Sequence, residues 1–170
     1  MAADAYTSAL RILQYRFNSE HELRRKLAAK RFDNAEIDAA IERLREEKWI
    51  DDERFAGAYV RTRASKKVGP ARIKRELSAA GVDRETASRA LAENRDDERI
   101  SSDLAAIAEK RRRILIRRHG EDFVRSAEGK SRLAAYLIQQ GYPTDQVRDL
   151  LQRLANDGVD HKRSTAKEIE

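Results

Sequence analysis

The sequence predicts an all-α protein, built from three tandem three-helix repeats that form an elongated, curved array of nine helices. About half of the 170 residues are Ala, Glu, Lys, Leu or Arg, a composition typical of helical arrays. The chain has 2 prolines and 7 glycines, too few for an all-β fold with many tight turns. The third observation is an internal repeat, since the segments 19–44, 69–94 and 129–154 align without gaps.

Each aligned segment predicts two amphipathic helices joined by a tight turn. In the second repeat the apolar residues are Ile73 and Leu77 before a short break, and Ala87 and Leu91 after it. A spacing of four residues places each pair on one face of a helix. Neighbouring repeats can bury these faces against each other, which a unit of this size needs for stability.

The break between the two helices has the chemistry of a helix end followed by a new N-cap. Gly81 and Gly141 stand where a Schellman ending needs a residue with left-handed φ, and Arg31 takes this position in the first repeat. We therefore expect the cap at Arg31 to be strained or differently formed. Asp33 and Asp83 come two residues after the break and are expected to cap the next helix.

A further helix precedes each aligned pair. The tetrapeptide Asp-Asp-Glu-Arg occurs at 51–54 and again at 96–99, and acidic residues at a helix start cap free N–H groups and complement the macrodipole. Aromatic residues are expected mainly in the core. Tyr15 and Phe17 border a basic stretch, so stacking of one of them on a nucleobase is the alternative to a place in the core. The predicted repeats are 1–50, 51–95 and 96–156, the last with an insertion near 110–128, and a polar, flexible tail is expected at 157–170.

Composition and motifs exclude several classes of protein. The absence of Cys excludes disulfides, zinc–thiolate sites, iron–sulfur clusters and cysteine nucleophiles. No apolar run is long enough to span a membrane and no signal peptide is visible, so we expect a soluble, cytoplasmic protein. The sequence motifs of metal sites, phosphate loops and nucleophilic catalysis are missing as well. We therefore expect a non-enzymatic protein that needs no cofactor or metal.

Positive charge is concentrated in three clusters, within a net charge of +6. The first lies on the second helix of repeat one, where nearby acids make a solvated helix face an equally good explanation. The second covers 61–75, with seven basic residues and no acid, and favours contact with a polyanion or an acidic protein. The third lies at 110–118, and there binding and a solvated face are equally plausible. The predicted interface residues are Arg61, Arg63, Lys66, Lys67, Arg72, Lys74, Arg75, Arg24, Arg25, Arg112, Arg113 and Arg117.

A set of motifs extends over the first two repeats, and a weaker one lies in the third. They are Ser19-Glu20, Glu22-Leu23-Arg24, Lys26-Leu27, Asp51-Asp52, Phe55-Ala56, Tyr59-Val60, Arg63, Gly69-Pro70, Ile73, Glu76-Leu77 and Gly81, then Leu137 with Gln140-Gly141-Tyr142. Together they resemble the RecX family, from about Ala5 to Leu154. Gln140 stands where the family usually has a basic residue.

The resemblance to RecX implies a function in bacterial DNA recombination, DNA repair and the SOS response. It implies a non-enzymatic modulator that binds in the groove of filaments of the recombinase RecA on single-stranded DNA. Such a protein suppresses filament extension, ATP hydrolysis, strand exchange and co-protease activity. The expected partners are the RecA filament and single-stranded DNA, bound directly or within the filament; the chain itself is expected to be a monomer that contacts no membrane.

Two other interpretations of the repeats remain. One is a sequence-specific DNA-binding protein of helix-turn-helix type, in which the second helix would enter the major groove. That motif favours a small residue four positions before the turn glycine, where this chain has Leu77 and Leu137. The other is a helical scaffold that binds only protein, which would have no affinity for DNA.

Overall fold

The backbone is helical over most of the part of the chain that the structure describes. This computed structural model describes residues 4–167, with side chains described for 4–155. Within residues 4–167 there are ten helices and no strand, which confirms the all-α prediction. The helices are α1 (Ala5–Leu13), α2 (Glu20–Ala29), α3 (Asn34–Glu46), α4 (Asp52–Ser65), α5 (Pro70–Ala79), α6 (Arg84–Glu93), α7 (Asp97–His119), α8 (Glu121–Arg125), α9 (Ala127–Gln139) and α10 (Thr144–Lys167).

The Schellman endings predicted from the repeat are confirmed. In the second repeat the N–H of Val82 donates to the carbonyl of Leu77 at 3.1 Å, and the φ of Gly81 is 81°. Gly141 ends the corresponding helix of the third repeat with φ 95°. Arg31 does so in the first repeat with φ 68°, so a side chain is held there in the left-handed region that glycine occupies in the other two repeats.

The helix starts also follow the predicted caps. Asp33 accepts from the backbone N–H of Glu36 at 2.8 Å, and the Glu36 side chain accepts from the N–H of Asp33 at 2.9 Å, which completes a capping box. Asp83 caps α6 and Asp96 caps α7 through their carboxylates. Asp51 accepts from the backbone N–H of Arg54 at 3.0 Å, so the first acid of each tetrapeptide copy, Asp51 and Asp96, caps a helix start as predicted.

The third repeat contains the main difference from the predicted helix count. Its insertion extends α7 to 23 residues and then forms the short helix α8, so the described chain has ten helices where nine were expected. Gly120, with φ 85°, separates α7 from α8. A Cβ atom at Gly129 would lie 2.0 Å from the carbonyl oxygen of Phe123, so only glycine allows α9 to approach α8 this closely.

The chain divides into two compact units. Unit 1 comprises Met1–Arg63 and Lys74–Arg95, and unit 2 comprises Ala64–Ile73 and Asp96–Glu170. In unit 1, α1, α2 and α3 enclose a core in which the side chains of Leu23, Leu27 and Ile41 are fully buried. Burial of one leucine or isoleucine side chain contributes roughly 1.5–3 kcal/mol, so this core is a main source of stability in unit 1.

Unit 2 has its own core, formed by α7, α8, α9 and α10. Leu104, Leu133, Leu137 and Val147 are among its buried residues. Helix α10 continues to Lys167, so it enters the segment 157–170 in which a polar tail is predicted. Residues 168–170 lie outside the described part of the chain. None of the helices in the described ranges has an apolar stretch suited to crossing a membrane.

Candidate functional site

The second basic cluster, at 61–75, covers the end of α4, the turn that follows and the first half of α5. Its members belong to both units: Lys66, Lys67 and Arg72 lie in unit 2 and the others in unit 1. The cluster is therefore described below one unit at a time.

In unit 1, Arg63 is occupied by an ion pair with Glu76. Its Nε and Nη2 donate to the two carboxylate oxygens of Glu76 at 2.7 and 2.6 Å, and both side chains are 23% exposed. The hydroxyl of Tyr59 also donates to Glu76 at 3.2 Å. Hydrogen bonding to Glu76 raises the pKa of Arg63. The bidentate geometry fixes α4 to α5. Glu76, the first acidic residue after the second cluster, therefore neutralises one cation of that cluster, Arg63.

In unit 2, the turn between α4 and α5 is attached to the turn between α9 and α10. The N–H of Gly69 donates to the carbonyl of Gln140 at 2.9 Å, and the Tyr142 hydroxyl donates to the carbonyl of Lys67 at 3.0 Å. Burial, reinforced by the charge of Asp103, raises the pKa of Tyr142 to about 12. A Cβ at Gly69 would lie 2.3 Å from backbone atoms of the second turn, so this attachment requires glycine.

The lysines of this turn differ in their surroundings. Lys66 is exposed and makes no ion pair with a described residue, whereas Lys67 Nζ lies 3.2 Å from Asp103. The backbone of Lys67 has φ 58°, in the left-handed region. Arg72 donates from Nη1 to the side-chain oxygen of Gln140 at 3.1 Å. The glutamine that departs from the family pattern thus accepts a hydrogen bond from an arginine of the second cluster.

The first cluster contains one cation with a structural role, Arg24, beside Arg25, which makes no ion pair with a described residue. Arg24 donates to Glu20 at 3.0 Å within α2 and also to Asp38 of α3. These hydrogen bonds, the one to Asp38 being the larger cause, raise the pKa of Arg24. Arg25, the next residue, is exposed. The contact between Arg24 and Asp38 therefore ties α2 to α3.

The third cluster lies on α7 and is partly neutralised by one acid. Arg113 Nε lies 2.8 Å from a Glu109 oxygen and Arg112 Nη1 lies 3.6 Å from the other. Hydrogen bonding, chiefly to Arg113, lowers the pKa of Glu109. Arg117, one turn further on, is exposed. Six of the twelve predicted interface residues thus make no ion pair with a described residue: Arg25, Arg61, Lys66, Lys74, Arg75 and Arg117.

Unit 2 brings parts of the second and third clusters together at one pocket. The pocket has a volume of about 440 Å³ and lies between the turn after α4, helix α7 and helix α9. Its basic lining residues are Lys66, Lys67, Lys110 and Arg111. Lys110 and Arg111 belong to the predicted basic run at 110–118 but are not among the predicted interface residues. Only the helical phase of α7, which turns them toward this pocket, distinguishes them from their neighbours.

Two aromatic residues expected in the core are exposed instead. The side chains of Tyr15 and Phe17, in the connection between α1 and α2, are 90% and 58% exposed, so the prediction was wrong for both. The connection is not helical, and the apolar spacing that places residues on a buried helix face does not apply to it. The guanidinium of Arg54 lies 5.8 Å from the Phe17 ring centroid.

These features define a helical-repeat protein whose surface chemistry is cationic. Comparison with known proteins identifies the family to which this helical-repeat protein belongs. The family model described as the first three-helix domain of RecX matches residues 5–44, and the model for the second three-helix domain matches 51–91. The regulatory protein RecX of Escherichia fergusonii is 33% identical over 158 residues, which covers 87% of this chain and 90% of that protein. The RecX of Salmonella typhi has the same identity and coverage.

A solved structure supports the same relationship. The crystal structure of RecX from Lactobacillus salivarius matches with a TM-score of 0.72 and 28% identity, covering 88% of this chain and 94% of that one. The chain belongs to the RecX family of regulatory proteins. The resemblance and the construction from three-helix repeats are thereby confirmed.

Proposed function

We propose that this protein is a non-enzymatic inhibitor of the recombinase RecA that binds in the groove of RecA filaments on single-stranded DNA. Its membership of a family of regulatory proteins supports this function. The observation that carries it is the set of six surface cations without acidic partners among the described residues, distributed over both units. A DNA filament offers phosphates to such cations at regular intervals.

Within this proposal the basic residues have two different tasks. Arg24 and Arg63 hold neighbouring helices together through carboxylates, so they position the repeats. The cations that make no ion pair with a described residue, such as Lys74 and Arg75, contact phosphates or acidic side chains of the filament. The first task supports folding and the second supports binding, so mutations of the two groups have different consequences.

The inhibitory effect follows from occupying the groove over an extended length. Helix α7 alone has 23 residues, which at about 1.5 Å per residue corresponds to roughly 34 Å. A chain bound along the groove bridges neighbouring RecA subunits, and it excludes the DNA strand and protein substrates that use the groove. Extension, ATP hydrolysis, strand exchange and co-protease activity are all suppressed. The protein acts as a cytoplasmic monomer.

The test is RecA's hydrolysis of ATP on single-stranded DNA, with this protein added at well below one copy per RecA. We expect strong inhibition by the wild type. The variant Lys66→Glu/Lys74→Glu/Arg75→Glu should lose inhibition at the same ratio, with its helical circular dichroism unchanged.

A matched control reverses three exposed cations outside the clusters: Arg84, Arg99 and Lys130. This control changes the net charge by the same amount and should still inhibit. If the wild type fails to inhibit even at equimolar ratio, inhibition of RecA by this chain is refuted. If the test and control variants inhibit equally well, the assignment of the cations is wrong.

A further inference from the structure

The pocket of unit 2 combines an apolar wall with a basic rim. We propose that it binds one nucleotide, with the base against the wall and the phosphate at the rim, either as one unit of a DNA strand or as a free nucleotide. The inference deepens the proposed function and rests on it for its biological setting. The pocket chemistry itself can be tested without RecA.

The apolar wall is formed by Ile107 and Ile114 of α7 and Tyr136 of α9. Ile114 is 37% exposed, so part of its apolar side chain is open to a ligand at the pocket. Tyr136 adds a planar aromatic side chain. Every nucleobase has a planar face that stacks on such side chains, with little dependence on base identity.

Arg111 connects the wall with the rim. Its guanidinium carbon lies 4.7 Å from the Tyr136 ring centroid, in a cation–π contact. Its Nε is buried and has no hydrogen-bond acceptor among the described residues. Buried donors in proteins almost always have a partner. A shift of the Arg111 side chain toward the pocket would bring this donor to an acceptor on a ligand. A ring nitrogen, a base carbonyl or a phosphate oxygen provides one.

The rim has the charge that a phosphate needs. Lys66 and Lys110 are exposed and make no ion pair with described residues, and Lys67 lines the same pocket. Asp103 lies 3.2 Å from Lys67 and offsets one positive charge. With Arg111 the pocket has four cations and Asp103 is the one acid set against them, which leaves an excess of three positive charges. The volume of about 440 Å³ falls in the range of roughly 300–1,000 Å³ that is usual for small-ligand pockets.

The test compares two labelled strands of equal length by fluorescence anisotropy, with the full-length protein and without RecA. One strand is oligo-dT and the other consists of abasic sites, so both carry the same phosphates but only one carries bases. We expect oligo-dT to bind about ten-fold more tightly, because the stacking of a base contributes at this level. Equal affinity for both strands would refute the proposal.

Exposed isoleucines provide a matched pair of variants. Ile114→Ala should reduce the preference for oligo-dT to less than about three-fold, because it removes three carbons of the apolar wall that the base covers. Ile138→Ala on α9, where the side chain is 40% exposed and does not line the pocket, should keep the preference. Tyr136→Phe should also keep it, since the ring is retained. Lys110→Ala should weaken the binding of both strands by the same factor, because it removes a phosphate contact but no stacking surface. A base preference unaffected by Ile114→Ala would place the stacking elsewhere and overturn the assignment.

Further measurements distinguish a free nucleotide from a DNA strand, and both from an acidic protein segment. Displacement of oligo-dT by thymidine monophosphate, lost in Ile114→Ala, identifies a free nucleotide as a ligand; displacement only by unlabelled oligo-dT identifies the strand. If labelled poly-glutamate binds in an Ile114-dependent manner and the strands show no base preference, the pocket is a protein site and the proposal is wrong.

The proposed function can fail independently of this pocket. Inhibition of RecA without a base preference would refute the pocket and leave the function standing. A base preference without inhibition of RecA would refute the proposed function and leave the pocket standing.

Discussion

Replacing Arg31 with glycine should stabilise the protein. Arg31 ends α2 with φ 68°, whereas glycine fills the same position in the Schellman endings at Gly81 and Gly141. The left-handed conformation costs a residue with a Cβ about 1–2 kcal/mol. Against this gain, glycine loses about 0.5–1 kcal/mol in chain entropy, and an exposed cation near a helix C-terminus contributes about 0.3 kcal/mol. The expected gain in the free energy of unfolding is therefore about 0.5 kcal/mol.

The assay is urea unfolding followed by circular dichroism, with Arg31→Ala as the control. Alanine removes the same charge but keeps a Cβ, so it should give no gain. Lys48 has φ 58° at the end of α3 and makes no ion pair with a described residue, so Lys48→Gly should add a similar amount. The double variant should then gain about 1 kcal/mol, provided that the two sites act independently. A double variant no more stable than the wild type would refute the assignment of strain to these helix ends.

Three further predictions concern stability, pH and salt. Arg63→Ala should lower the free energy of unfolding by about 1–3 kcal/mol in urea titrations, because it leaves the partly buried Glu76 without its bidentate partner; an unchanged midpoint would contradict the structural role. Hydrogen bonds from Thr86 hold the pKa of Asp83 below its ordinary value of 3.8, so its contribution to stability is complete above that value and is lost as the pH falls through the lower folded-state pKa. Melting temperatures between neutral and acidic pH should show this loss, and Asp83→Asn should make it smaller. For single-stranded DNA, about five phosphate contacts predict a slope near −3.5 for log K against log salt, and a flat dependence would exclude an electrostatic mode of binding.

The fold could be predicted because its determinants are local. The helix ends depend on residues within one turn, such as Leu77, Gly81 and Val82, and the aligned repeats show the same pattern three times. The insertion of the third repeat gave no comparable signal. It has no counterpart in the other repeats, and the break at Gly120 follows a helix that has no earlier stop.

The candidate site was predictable only as a set of basic runs. Whether a cation is available depends on contacts between residues distant in sequence. Arg63 lies in a run without acids, yet Glu76, thirteen residues further on, binds it. Lys66 and Lys110 belong to different runs, and only the fold of unit 2 places both at one pocket. Tyr136 gave no signal at all, because an aromatic residue at helical spacing is usually part of a core.

The left-handed helix ends connect stability with the proposed function. Among the described residues other than glycine, those with positive φ are Arg31, Lys48 and Lys67, and all three are cations. The interaction of an exposed cation with the helix dipole, about 0.3 kcal/mol, and the chain entropy that glycine would lose, about 0.5–1 kcal/mol, together offset only part of the conformational cost of about 1–2 kcal/mol. Stability alone thus favours glycine at these ends, as at Gly81. A cation there adds positive charge to a rigid turn at a net cost in stability, and Lys67 places that charge at the rim of the pocket. Such a cost is expected where the surface binds a polyanion, since strained residues concentrate at functional sites.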